Sequence, residues 1–188
     1  IKAWAKADNV AKCQEWLSRM PMEPDFITNN TVLLAFANAG AAPEAEALLQ
    51  SMTVKTLRSY NTCMVAWARC GRADKAHALL DELVHDTNNN LRPNIVSYST
   101  VIHAYARSKD PDKATKAYKV LAEMKAAGIL PNSITYNNLL NCCATSSSAP
   151  RDVLEKIVKT IYKQHPDPDY ITFGTVLKAC NNLFLDPD

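Results

Sequence analysis

Two stretches of the chain place the same hydrogen-bonding residue types at the same spacing. RPNIVSYSTVIHAYA begins at Arg92 and LPNSITYNNLLNCCA at Leu130. Each has Pro-Asn, three residues, a tyrosine, two polar residues and an apolar run. Amides and hydroxyls both donate and accept, whereas carboxylates only accept, so the chemistry on offer is hydrogen-bond recognition rather than bond making. Local structure competes for the same side chains. Asn and Ser favour helix starts, and Asn after Pro is turn chemistry.

Residues suited to catalysis are not arranged for it. His77, His85, His103 and His165 have no nucleophile at fixed spacing, although His103 falls on a helix that carries the polar pattern. A histidine without a partnered constellation reads as a surface or core residue. Six cysteines (Cys13, Cys63, Cys70, Cys142, Cys143, Cys180) show neither CxxC nor Cys/His ligand spacing, and read as reduced, buried thiols of a reducing compartment. No phosphate loop or carboxylate pair stands out. The expectation is a non-enzyme with no catalytic residue, metal ligand or cofactor, with a catalytic domain elsewhere in a longer protein left open.

A formal net charge of +2 over 188 residues gives no strong basic signature and no acidic tail. Four glycines and 7% aromatics, beside abundant Ala and Leu, lean helical. The uncharged stretches 26–43 and 133–150 are too rich in Asn, Ser and Thr to span a bilayer, so no membrane insertion is expected. Ile1 falls inside a helical pattern without a cap, and the chain reads as a fragment or ordered part of a longer protein.

The doubled pattern belongs to an internal repeat. Tyr60, Tyr98, Tyr136 and Phe173 anchor successive copies at spacings of 38, 38 and 37, with Asn29 at the same place in an earlier copy 31 residues before Tyr60. The units are 26–56, 57–94, 95–132 and 133–169, flanked by partial units 1–25 and 170–188. Most close with Pro-Asp or Pro-Asn: Pro24-Asp25, Pro93-Asn94, Pro131-Asn132 and Pro168-Asp169.

Each unit must be two helices. The first spans roughly 27–39, 58–70, 95–107, 133–145 and 170–182, with apolar residues at helical spacing such as Val101, Ile102 and Tyr105. The second starts after a break. Asp110-Pro111 reads as an N-cap with proline at the first helical position, and Pro43 and Pro150 read the same way. Gly128 is a C-terminal cap. Ala45, Ala76 and Ala114 recur where a small side chain admits the paired helix. One hairpin cannot bury both its faces, but stacked hairpins can. The fold class is therefore all-α, a helical-hairpin repeat solenoid. Its first helices are expected to line one concave face. The charged second helices (Lys113, Lys116, Lys119, Glu123, Lys125) are expected to solvate the other.

The unit VSYSTVIHAYARS…DKATKAYKVLAEMKAAGILPN resembles a pentatricopeptide repeat (PPR) along its whole length. SYNTCMVAWARCGRADKAHALLDEL and SITYNNLLNCC resemble it too. The Trp, Leu-Gly, Tyr and late Pro pattern of the tetratricopeptide repeat is absent. The resemblance implies a right-handed superhelix that reads single-stranded RNA one base per repeat. It also implies an organelle, chloroplast or mitochondrion. The unit 26–56 departs from the pattern in being short and closing without Pro-Asp. Insertions near HDTNNNLRPN, SKDPDK and TSSSAPRD lengthen the later units.

In the resembled family the residue after the tyrosine and the last residue of the unit meet one base edge. Carried over, the pairs are Asn30/Thr56, Asn61/Asn94, Ser99/Asn132 and Asn137/Asp169, with Asn30/Thr56 a poor pair and Thr56 in doubt as a closing residue. Asp169 accepts only, so Asn137/Asp169 favours uracil, which offers N3–H. Asn61/Asn94 tolerates either pyrimidine. Ser99 leaves room for a two-ring base, and with Asn132 adenine fits best. The implied core is 5′-pyrimidine-A-U-3′. The family also wedges bases between residues at the second position of successive units. These are Ile27, Arg58, Val96, Ile134 and Ile171, where the Arg58 guanidinium can stack on a base. Lys6, Arg69 and Arg107 occupy the place of phosphate contacts. Three such contacts give a modest salt dependence, ~0.7 per neutralised phosphate.

Two functions follow from the resemblance. One is sequence-selective recognition of single-stranded RNA in RNA processing, stability or translation. The other is a structural array without a base code, in an organellar ribosome or another large assembly.

Overall fold

A computed structural model of the protein describes residues 10–19, 24–85, 91–146, 151–164 and 174–178. Of the residues singled out above, Lys6, Asp169 and Ile171 lie outside the described residues, as do Pro150, His165, Phe173 and Cys180.

The described helices are α1 (Val10–Ser18), α2 (Phe26–Ala39), α3 (Ala42–Ser51), α4 (Leu57–Arg69), α5 (Ala73–His85), α6 (Ile95–Arg107), α7 (Lys113–Ala126), α8 (Ser133–Ala144) and α9 (Arg151–Gln164). Residues 174–178 are also helical, and no strand occurs among the described residues. The chain divides into two compact units, 1–93 and 94–188. In the first, α2 packs on α4, and α3 lies against both. In the second, α6 packs on α8, and α7 lies against both. No described helix is long and apolar enough to cross a membrane.

Side-chain caps begin the first helix of each hairpin. Asp25 accepts a 2.7 Å hydrogen bond from the Thr28 amide. Thr56, Asn94 and Asn132 each close a capping box with Ser59, Ser97 and Thr135. Such a cap contributes about 1 kcal/mol. At the far end of α7, Gly128 takes φ 75°, and the amides of Ile129 and Gly128 donate back to the Met124 and Lys125 carbonyls. This reversal requires the left-handed region that glycine enters without penalty.

Burial follows the repeat. Tyr60, Tyr98 and Tyr136 are all buried between helices, and Ala45, Ala76 and Ala117 have no exposed surface. Ala117 stands in the register of Ala45 and Ala76, because Met124 follows it by about two helical turns as Met52 and Leu83 follow the other two. Ala114, expected at that place, is buried one turn earlier, since the inserted residues before α7 shift the count.

Three further expectations are corrected. Pro111 does not open α7; the Asp110 carboxylate accepts from the Asp112 amide, a local turn that delays the helix to Lys113. Lys113 does not solvate the outer face. It is 6% exposed, and its ammonium donates to the Ser108 carbonyl at 3.2 Å, so its stem packs inward while its charge finds an acceptor. Lys116, by contrast, pairs with Asp110 on the surface. Finally, Cys70 is exposed at the end of α4, its thiol donating to the Gly40 carbonyl, whereas Cys13, Cys63, Cys142 and Cys143 are buried. Burial, reinforced by the Glu46 and Glu82 carboxylates, pushes the Cys63 thiol up to about 12, and burial pushes Cys143 up to about 11. Neither is a nucleophile near neutral pH.

Candidate nucleic-acid interface

Alternate turns of the first helices turn polar and aliphatic side chains outward. Ile27, Val96 and Ile134 are 53%, 50% and 63% exposed, and Arg58 is exposed too. Helices bury their aliphatic residues by default, and these positions lie at the second place of each unit, two residues before the tyrosine place and so on the other side of the helix. Exposure there keeps them out of the core between hairpins.

The second unit builds the one recess in which the described residues join a complete set of candidates. A pocket of about 390 Å³ is lined by Val96, Ser99 and His103 from α6 and by Asn132, Ile134 and Asn138 from α8 and its cap. Two aliphatic side chains thus flank two polar ones, the arrangement a flat base needs: faces against carbon, edge against hydrogen-bonding atoms. The Ser99 hydroxyl lies 2.7 Å from the Thr135 hydroxyl, which ties the candidate residue of one repeat to the first turn of the next.

The cap decides what Asn132 can offer. Its Oδ1 accepts from the Thr135 amide and hydroxyl, both at 3.0 Å. The oxygen is committed to α8, so the face left to a ligand is the NH₂, a pure donor. Asn94 is built alike, its Oδ1 accepting from the Val96 and Ser97 amides at 3.0 and 3.1 Å. The cap therefore narrows the expectation that these amides present both polarities.

The repeat 26–56 contrasts with this. Thr56 does occupy the closing place, as the N-cap of α4, contrary to the doubt raised by its missing Pro-Asn. Its hydroxyl accepts from the Ser59 amide at 3.1 Å and also meets the Ser59 hydroxyl at 3.1 Å, so two of its three hydrogen-bonding functions are engaged within the cap. Asn30 folds back, its Nδ2 donating to the Phe26 carbonyl at 2.8 Å, and its Oδ1 is buried without a partner among the described residues.

Asn61 and Asn137 are half-buried on α4 and α8, each at the place after the tyrosine. Among the cations, the Arg69 guanidinium donates through Nη1 to the Ala37 carbonyl and to Asn38 Oδ1 at 2.9 and 3.0 Å. It thereby closes the C-terminus of α2. Arg107 is exposed at the end of α6, two turns past Ser99. His103 lies between them on the same face. Partial burial, then the Arg107 charge, hold its imidazole below the usual histidine value, so it is neutral at pH 7 and offers one donor and one acceptor. Asn138 was not anticipated as a groove residue; its position one turn past Ile134 was the available signal. No cluster of His, Cys, Asp or Glu able to hold a metal ion occurs among the described residues.

These features define a helical-hairpin repeat protein with a polar recess between successive first helices. The PPR repeat family matches residues 93–145, and the PPR repeat matches residues 58–86. Those two segments carry pentatricopeptide repeats. No curated protein matches it. Among solved structures it is similar to the pentatricopeptide repeat protein PPR10 from maize (22% identity, TM-score 0.74, 93% of this chain and 24% of that one). It is also similar to PPR10 in complex with an 18-nucleotide psaJ RNA element (22%, TM-score 0.70, 96% and 26%). The PPR domain of Arabidopsis thaliana protein-only RNase P 1, in complex with tRNA, matches at 14% identity and TM-score 0.72, with 95% of this chain and 94% of that one covered. The chain spans about a quarter of the length of the PPR10 chains.

Proposed function

We propose that the protein binds single-stranded RNA, admitting one base between the aliphatic side chains of consecutive first helices and reading its edge with the adjacent polar pair. The observation that carries this reading is the recess formed by Val96, Ser99, Asn132 and Ile134. Its two apolar walls suit stacking, and its donor suits a base with an acceptor on the pairing edge. Adenine offers N1 as that acceptor, and Ser99 is small enough to admit a two-ring base. Guanine presents N1–H to the same NH₂ group, donor against donor. The complexes of maize PPR10 with RNA and of the RNase P 1 domain with tRNA support a nucleic-acid role for such repeats.

In the flanking units, Asn137 with Asp169 selects uracil, and Asn61 with Asn94 takes a pyrimidine. The preferred core remains 5′-pyrimidine-A-U-3′. The organelle of action is the chloroplast or mitochondrion, and the process is RNA processing, stability or translation. With Arg69 tied to α2, phosphate neutralisation is small, and affinity depends weakly on salt.

The test is a binding titration of 5′-pyrimidine-X-U-3′ in an otherwise identical single strand, with X each of the four bases. Adenine is expected to bind tightest, by about five- to tenfold over guanine, the worth of one matched hydrogen bond. Equal affinity for all four bases would remove the base-reading function.

A further inference from the structure

A second recess lies in the first unit, on the face of α2 that carries Asn29 and Phe36, and its origin is a pair of substitutions within the repeat. In the hairpin α4–α5, Tyr60 fills the space between the helices. It is 1% exposed, and its hydroxyl donates to Glu82 Oε1 at 2.7 Å. In the hairpin α2–α3 both partners are replaced. Asn29 stands at the tyrosine's place, and Ser51 follows Ala45 as Glu82 follows Ala76. The ring that fills the sibling hairpin is missing, and a pocket of about 650 Å³ opens there, walled by Leu17, Phe36, Leu48 and Met52, with Asn29 and Ser51 among its polar lining beside Gln14, Ser18 and Thr53.

Asn29 makes this more than a packing fault. The residue is 8% exposed. Its Nδ2 donates to the Pro24 carbonyl at 3.2 Å, which fixes the orientation of the amide, since a flip would set oxygen against oxygen. Oδ1 is then left buried with no partner among the described residues. A buried acceptor without a donor costs about 1–3 kcal/mol. The Ser51 hydroxyl cannot supply the donor, because it donates to the Leu48 carbonyl at 2.9 Å.

We infer that this pocket binds a neutral aromatic ring carrying one hydrogen-bond donor, a phenol, which takes the place of the missing tyrosine and donates to Asn29 Oδ1. The apolar walls take the ring face. Glu44 on the rim, with no Lys or Arg among the described lining residues, excludes anionic rings. The pocket does not depend on the RNA groove, and its test does not involve RNA.

The experiment titrates p-cresol, toluene and 4-methylbenzoate into the chain and into two variants, followed by calorimetry or NMR shifts. For the unaltered chain, p-cresol is expected to saturate and to bind about five- to tenfold tighter than toluene, one hydrogen bond's worth, with 4-methylbenzoate weakest. In Asn29→Ala the difference between p-cresol and toluene should vanish while toluene still binds. Asn29→Tyr should raise Tm and exclude p-cresol, because the chain then supplies its own ring. N-acetyltyrosinamide binding as well as p-cresol assigns the pocket to a tyrosine presented by a partner protein, and its exclusion assigns it to a free small molecule. Equal binding of p-cresol and toluene to the unaltered chain, or no saturable binding of p-cresol, would overturn the inference.

Discussion

The repeats 26–56 and 95–132 carry the same architecture and end on the same kind of cap, yet only the second closes on a residue with a second polar atom outside the cap. Thr56 caps with a hydroxyl, which has a single oxygen. Once that oxygen has accepted from the Ser59 amide and met the Ser59 hydroxyl, a single function on the same capping atom is left. Asn132 caps with an amide, and the same commitment of Oδ1 leaves the NH₂ group available. The residues one place past the tyrosine position differ in the same sense. Asn30 turns its amide back to the Phe26 carbonyl, whereas Ser99 joins the recess with Val96 and Ile134. A closing residue with two polar atoms can give one to folding and keep the other for recognition.

The strongest way to break this contrast is Asn132→Ala, which removes the cap and the donor at once. Stability should fall by about 1 kcal/mol, and the preference for adenine should disappear. Chemical denaturation reads the first effect and RNA titration the second. Loss of stability with the base preference intact would separate the cap from recognition.

Thr56→Asn sharpens the contrast from the other side. Asn caps at least as well as Thr, so stability should stay within a few tenths of a kcal/mol. The new NH₂ group should strengthen binding of RNA extended by one base on the 5′ side, by up to about fivefold. Unchanged affinity for the longer RNA would show that Asn30, folded back on α2, silences the unit by itself.

The smallest effect concerns His103. Its folded value lies below the unfolded one near 6.5, so the unfolded chain binds more protons in that window. Stability is full above the unfolded value and declines as pH falls toward the folded one. A urea midpoint series from pH 7.5 to pH 5 should show that decline, and His103→Gln should lose its share of it.

Much of the fold was legible in the sequence. The helix expected at 95–107 forms over those residues, and Asn after Pro marks the caps at Asn94 and Asn132. Periodicity and turn chemistry are local, so they survive without coordinates. What failed also had local causes that a one-dimensional pattern hides. Asp110 captured the Asp112 amide and delayed α7. Lys113 was read by its charge, whereas its stem decided its placement. Thr56 was doubted for want of Pro-Asn, although Ser59 three residues later completes a capping box that could be read directly.

The candidate site was less legible. The resemblance supplied the positions of Ser99, Asn132, Val96 and Ile134, and the structure brings those four together. Which polarity Asn132 presents depends on how its oxygen is already used, and composition and spacing do not encode that. Asn29 was visible as a gap in the tyrosine register, but the pocket behind it follows only from three-dimensional packing with Ser51 and α1.

The account rests on Asn132 presenting a donor because its oxygen is held by the cap, and Asn132→Asp isolates that claim. Asp caps as well as Asn, so the fold is preserved while the atom facing the base changes from donor to acceptor. The measurement is a titration of wild type and Asn132→Asp with 5′-pyrimidine-X-U-3′ RNAs, X being adenine or guanine. The account predicts that wild type prefers adenine, that the variant prefers guanine through its N1–H, and that both unfold at the same denaturant midpoint. An unchanged ratio of adenine to guanine affinity in a fully folded variant would contradict it.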